Sequence, residues 1–295
     1  MLRDQKRKDP PVKGKRPYST SLSMVSSSGA SSQSSIAFRA NLFAQEMNNS
    51  AVSCIEIGHY SRAITSLTRS LDLLKRQPRS RDLASCNCYQ CTLDGCIIKA
   101  AEKNRSLSRK DKVTRTQQDC HDIPSGGYIS RRPIKINAQG HAMGPALYVI
   151  IVYNLGLVKH LIAIGCSDNI EREKVIQGAI ATYNLAHQMQ ASLLLQHESS
   201  KDPCSTEAAT SLRSIRFEMM VLNNTSQLHK LNLCITEHDH CLRRLLSVMM
   251  MVVDQQVRAS SIEGSIAPLW RIELDGFLRN TASLMLQPKI SAVSA

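Results

Sequence analysis

An all-α fold follows from three properties of the chain. Aromatic residues make up only 4% of it while Leu, Ile, Val, Met and Ala abound, a balance that suits interlocking helices better than a β-sandwich. Apolar residues recur at helical spacing over several stretches. Glycines and short polar clusters break those stretches at helix-like lengths. With 295 residues and 32.7 kDa the chain is long enough to bury a sizeable core.

The net charge of +13 is unevenly spread. Residues 1–40 carry 8 basic and 2 acidic side chains, residues 75–135 carry 14 and 6, and residues 136–295 carry 13 of each. The excess therefore sits in the segments least able to fold, and a basic folded face is not implied. Ten cysteines without a preceding apolar signal segment fit a reducing compartment, so a cytoplasmic or nuclear location is expected. Met1-Leu2-Arg3 followed by a Ser-rich stretch is similar to an organelle presequence, but Asp4, Asp9 and Pro10-Pro11 interrupt any amphipathic helix there.

Residues 1–37 read as a disordered arm, with basic clusters at Lys6-Arg7-Lys8 and Lys13-Gly14-Lys15-Arg16 and then mostly serine; such composition cannot repay its ordering entropy. Residues 38–76 read as a first helical hairpin. Ala44, Met47, Ala51, Cys54 and Ile55 mark one helix, Gly58 stops it, and Ala63, Leu67, Ser70, Leu71 and Leu74 mark its partner. So tight a connection forces an antiparallel pair. Residues 77–142 read as a mostly disordered linker, basic and Cys-containing, with a helix around Leu93 to Lys103 and an extended piece from Tyr128 to Ile136.

A second hairpin is expected over 143–195. Its first helix starts at Pro145 and runs through Tyr148, Ile151, Leu155, Val158 and Ile162 to Gly165. Asn154, Lys159 and His160 in its middle argue against a membrane span. Asp168 with Glu171 resembles a capping box ahead of Ile176, Ala179, Tyr183, Ala186 and Met189. A third hairpin, 205–258, combines Leu212, Ile215, Met219 and Leu222 with Leu242, Leu245, Leu246, Met249 and Val253. Residues 262–288 form a C-terminal cap, in which Asp275-Gly276 reads either as part of a helix or as a hairpin turn.

The run from Ile57 through Gly58, Tyr60, Ala63 and Ile64 to Leu67 and Leu71 resembles the tetratricopeptide pattern, in which small residues let two helices approach closely. The later hairpins align with it. Asn49-Ser50-Ala51 corresponds to Asn154-Leu155-Gly156 and to Asn224-Thr225-Ser226, an Asn two residues before a small side chain each time. In the second helices Ala63, Leu67 and Ser70 correspond to Ala179, Tyr183 and Ala186, and less closely to Cys241, Leu245 and Val248. On this alignment the turn is about eleven residues longer in the second hairpin and about three longer in the third. With Tyr128 to Ile136, Leu222-Asn223-Asn224 and Leu274 to Asn280, the chain is similar to uncharacterised tetratricopeptide-like proteins of diatoms. The resemblance implies an irregular, three-pair helical repeat that binds protein and has no known activity. Ala51, Gly58, Tyr60, Ala63, Gly156, Ala179, Tyr183 and Ala186 would be its helix-packing positions.

Chemistry-bearing motifs are sparse. Cys86, Cys88, Cys91 and Cys96 include one C-x-x-C pair, but the second pair of a structural zinc site is missing. No phosphate loop, nucleophile elbow or His-Glu-x-x-His motif occurs, so neither an enzyme nor a cofactor is expected. The position that a carboxylate-clamping repeat fills with Asn is Val52, Leu157 or Gln227. The expected role is a scaffold or adaptor for an unidentified protein or peptide, with Asn49, Asn154 and Asn224 as candidate contacts. The alternative is a nuclear factor that meets nucleic acid through its basic disordered segments.

Overall fold

The computed structural model describes residues 31–76, 93, 95–97, 127–137, 140–198, 207–259 and 268–286. It is all-helical, and no strand occurs among the described residues. Helix α1 spans Ser31–Glu56, α2 Tyr60–Arg76, α3 Pro145–Gly165, α4 Asn169–Glu198, α5 Glu207–Leu231, α6 Ile235–Ala259 and α7 Pro268–Leu286.

Three residues separate the helices of each pair: 57–59, 166–168 and 232–234. The first and third turns use one device. Gly58 adopts φ 83° while its N–H donates to Ile55 O and His59 N–H donates to Cys54 O; Leu233 adopts φ 59° while its N–H donates to Lys230 O and Cys234 N–H donates to His229 O. This pairing closes the last carbonyls of a helix around a left-handed residue. Glycine takes that conformation freely, whereas Leu233 takes it under strain. At the second turn Asp168 Oδ1 accepts from the N–H groups of Ile170 and Glu171, at 2.8 and 3.1 Å, and so caps α4.

The longer turns expected for the second and third hairpins are therefore not present. The eleven extra residues of the second hairpin lengthen its helices: four follow Asn154 in α3 and seven precede Ala179 in α4, relative to Asn49 and Ala63. Four residues are about one helical turn and seven about two, so the faces that meet across the pair stay in phase.

The hairpins stack in chain order, α2 against α3, α4 against α5 and α6 against α7, while α1, α3, α5 and α7 touch their neighbours more lightly. Small residues make the close approaches. Ala51, Ala63, Ala179 and Ala186 are fully buried, and a Cβ on Gly156 would stand 3.0 Å from the Tyr183 ring. Ser70 Oγ donates to Ala44 O across the first pair at 3.0 Å. Tyr153, Tyr183 and Phe217 form the centre of the core, with ring centroids 5.8 Å and 5.3 Å from Tyr153. Helix α3 is long and apolar enough to cross a membrane, but 72% of its apolar window is buried inside the fold, as expected of a helix that is apolar all round.

Two boundaries differ from the sequence reading, and the open choice at Asp275-Gly276 falls to the helix. Helix α1 begins at Ser31 rather than near Phe38, because Ala37, Ala40 and Ala44 form a buried small-residue stripe that a search for large apolar residues passes over. The end of the 77–142 linker is laid into the fold instead of being disordered, while Leu93, Cys96 and Ile97, within the helix expected around Leu93 to Lys103, are helical and buried. Asp275-Gly276 lies inside α7 and makes no hairpin. The glycine is required by packing, since the Tyr128 ring occupies the place of its Cβ. The remainder of the 1–37 arm, and most of 77–126, lie outside the described residues.

Candidate functional site

The extended piece Tyr128 to Ile136 runs along the side shared by α1, α3, α5 and α7, held by asparagine side chains. Asn49 Oδ1 accepts from Ile136 N–H and its Nδ2 donates to Ile136 O, both at 2.8 Å. Asn154 does the same with Ile134, both at 2.8 Å. Asn224 does it with Ser130, at 2.9 and 3.1 Å. A fourth, Asn280 on α7, grips Tyr128 at 2.8 and 2.7 Å. One amide thus matches both backbone groups of one residue, as a neighbouring strand would.

The gripped residues 128, 130, 134 and 136 share one parity. Alternate residues of an extended chain turn their N–H and C=O to the same side, so a wall on that side can reach only every second residue. Pro133, which has no N–H to give, falls at the other parity. The segment also runs opposite to the helix order, with its C-terminal end on the first hairpin and its N-terminal end on α7.

Further amides brace the ladder. Asn48 Nδ2 donates to Ile134 O at 3.2 Å, and Asn48 Oδ1 accepts from Asn154 Nδ2 at 2.9 Å. Asn223 Nδ2 donates to Tyr128 O at 3.0 Å, and Asn223 Oδ1 accepts from Asn280 Nδ2 at 2.6 Å. Asn224 Nδ2 also donates to the Tyr183 hydroxyl at 3.1 Å. Burial holds that hydroxyl protonated well above its usual pKa, with Tyr153 adding to the effect and the Asn224 bond opposing it. At the exit, Gln45 Nε2 donates to His141 O and Asn41 Oδ1 accepts from Met143 N–H.

The side chains of the segment are sunk as well. Ile129, Ser130, Ile134 and Ile136 are buried, and Arg131, Arg132, Pro133 and Lys135 are half-buried. Tyr128 packs edge-on against Phe277, and Gly127 passes so close to Gln227 that a Cβ would collide with it. His160 is fully buried on α3, edge-on to Tyr183, with no hydrogen-bond partner for its ring nitrogens among the described residues. Burial, and secondarily the charge of Arg131, push its pKa down to about 3.

Asn49, Asn154 and Asn224 thus meet one ligand, which is this chain's own backbone. Asn280 enters the sequence reading only within the family resemblance and not as a candidate contact, although Asn280-Thr281-Ala282 repeats the Asn-x-small signature. The bracing Asn48 and Asn223 were visible as Asn-Asn doublets. Tyr60 begins α2, Gly58 makes its turn, and the remaining packing residues lie between helices.

Cys86, Cys88 and Cys91 lie outside the described residues, and Cys96 is buried in the core. No group of three His, Cys, Asp or Glu able to hold a metal ion occurs among the described residues. Ser226 Oγ lies 2.7 Å from His238 Nδ1, but that nitrogen also faces Ser226 O at 2.9 Å. A nitrogen facing a carbonyl oxygen carries its proton, so it cannot take one from the hydroxyl. The pair ties α6 to the end of α5. No protein-family model matches the chain, and comparison with curated proteins and with solved structures finds no match either.

Proposed function

We propose that the chain is a non-enzymatic, tetratricopeptide-like scaffold that binds other proteins by holding an extended polypeptide against its first helices. The observation that carries this reading is the asparagine ladder. Four side-chain amides each bond both backbone groups of one residue, and they do so at one equivalent place on α1, α3, α5 and α7. Asparagine is a poor helix former, so its use there calls for a hydrogen-bonding task. A wall of amides reads the one feature that all extended peptides share and asks no charge of its ligand, in keeping with the charge balance of residues 136–295.

The test is affinity capture with the whole chain followed by a high-salt wash. A protein partner held by backbone bonds and apolar contacts stays bound, because neither depends on counterion release. Recovery of nucleic acid alone, shed steeply as salt rises, would replace the scaffold with the nucleic-acid reading of the basic segments.

A further inference from the structure

We infer that the groove along α1, α3, α5 and α7 accepts a partner's extended peptide with the chemistry of residues 128–136, and that this segment of the chain is its tethered competitor. The inference rests on the scaffold reading and adds to it the class of ligand and what stands in the ligand's way.

The helices that form the groove do not rely on the segment for their own backbone hydrogen bonds, and among the described residues no backbone-to-backbone hydrogen bond ties 127–137 to the rest of the fold. The segment is held by side-chain amides and by the burial of Ile129, Ile134 and Ile136. When it leaves, the amides take water as donors and acceptors alike, so the wall does not become an orphaned polar surface. An interior meant to stay closed is more simply lined with apolar side chains. The C-terminal end of the segment reaches Gly140, exposed and at positive φ, before the chain is tied again at His141 and Met143, so Gly140 is the place where the segment can swing.

The occupant also defines what could replace it. A ligand must offer N–H groups at the positions of residues 128, 130, 134 and 136, so proline is admitted only at the intervening parity, where Pro133 stands. It needs branched aliphatic side chains at the places of 129, 134 and 136 and a small one at 130, where the native side chains are buried. An aromatic ring at the place of 128 meets Phe277 and the bare backbone of Gly276. Lys and Arg are accepted at the places of 131, 132 and 135, which stay half open.

The experiment uses a fluorescently labelled peptide with the sequence of residues 127–137 and two forms of the full chain: the natural one, and one carrying Ile134→Asp with Ile136→Asp, which cannot bury its own segment. A closed groove lowers the apparent affinity by the fraction of molecules that are open. The substituted chain should therefore bind the peptide at least about tenfold more tightly than the natural chain, and its melting temperature should recover when peptide is added. Hydrogen exchange on the natural chain gives a reading that does not depend on the variant folding. The amides of Tyr128, Ser130, Ile134 and Ile136 should exchange through a local opening, well before those in the middle of α3. The inference is overturned if those amides exchange only with global unfolding, if the substituted chain stays helical yet binds no more peptide than the natural one, or if it unfolds and peptide does not restore it. Should salt-resistant capture of a protein persist through such a failure, the scaffold reading would stand with its ligand on another face.

Discussion

Replacing Asn154 with alanine separates a working ladder from a decorative one. The substitution removes two 2.8 Å bonds to Ile134 and a 2.9 Å bond to Asn48. Ile134 O keeps a partner, because Asn48 Nδ2 still reaches it at 3.2 Å. The Ile134 N–H is left buried and unpaired, at a cost of about 1–3 kcal/mol, and the lost Asn48 bond adds about 1 kcal/mol. A total of about 2–4 kcal/mol should lower the melting temperature by roughly 5–15 °C. Asn49 makes the same pair of bonds from a half-buried position, where water can substitute, so Asn49→Ala should cost only about 1 kcal/mol. Urea denaturation of both variants, followed by circular dichroism at the helical band, measures the difference. Equal losses at the two sites, or a loss at Asn154 below about 0.5 kcal/mol, which is about the lower end for a single hydrogen bond, would refute the reasoning.

Four further outcomes are expected. Gly276→Ala would ordinarily stabilise a helix, yet here it should cost about 1–3 kcal/mol through collision with Tyr128, and the loss should shrink when Tyr128→Ala is added in a double-mutant cycle. Ala179→Leu should overpack the second hairpin by a similar about 1–3 kcal/mol, seen as a lowered melting temperature. Leu233→Gly should raise stability by about 1 kcal/mol, because it removes an exposed side chain from a left-handed backbone, measured as a higher urea midpoint at unchanged slope. His160 is buried neutral with its pKa near about 3 against 6.5 for the free side chain. Below pH 6.5 the unfolded chain takes up a proton that the folded chain refuses, so this group's contribution to stability falls as pH drops from 6.5 towards 3. Denaturation of the natural chain and of His160→Leu across that window should show the excess pH dependence only in the natural chain, and parallel curves would contradict it.

The helices were legible because each carries its signal locally. Apolar period, a stopping Gly58 and a capping Asp168 are all read within one or two turns. The equivalent places of Asn49, Asn154 and Asn224 were legible too, as a small side chain two residues on. What those amides hold was not legible, because Ile136, Ile134, Ser130 and Tyr128 lie 87, 20, 94 and 152 residues away from their partners and a nine-residue extended piece carries no long-range address. The turn lengths are not legible for a related reason. Alignment on Ala179 places eleven extra residues between two landmarks without showing on which side of the turn they fall, and one whole turn added to α3 and two to α4 leave the apolar pattern unchanged. The Ser-rich start of α1 was passed over because alanines that make close contacts add little apolar period of their own.

A stack of helical hairpins can stretch and recoil as a spring, since each pair touches only its neighbours. The reverse-running segment changes that mechanical character. A fully extended chain has no length in reserve, and the eight steps from Tyr128 to Ile136 span at most about 26–29 Å. Pinned at α7 by Asn280 and at α1 by Asn49, they act as an inextensible cord on one side of the spring. While the cord is in place the first helix and the last cannot part beyond that length on the laced side, and any lengthening of the stack must bend it away from the cord.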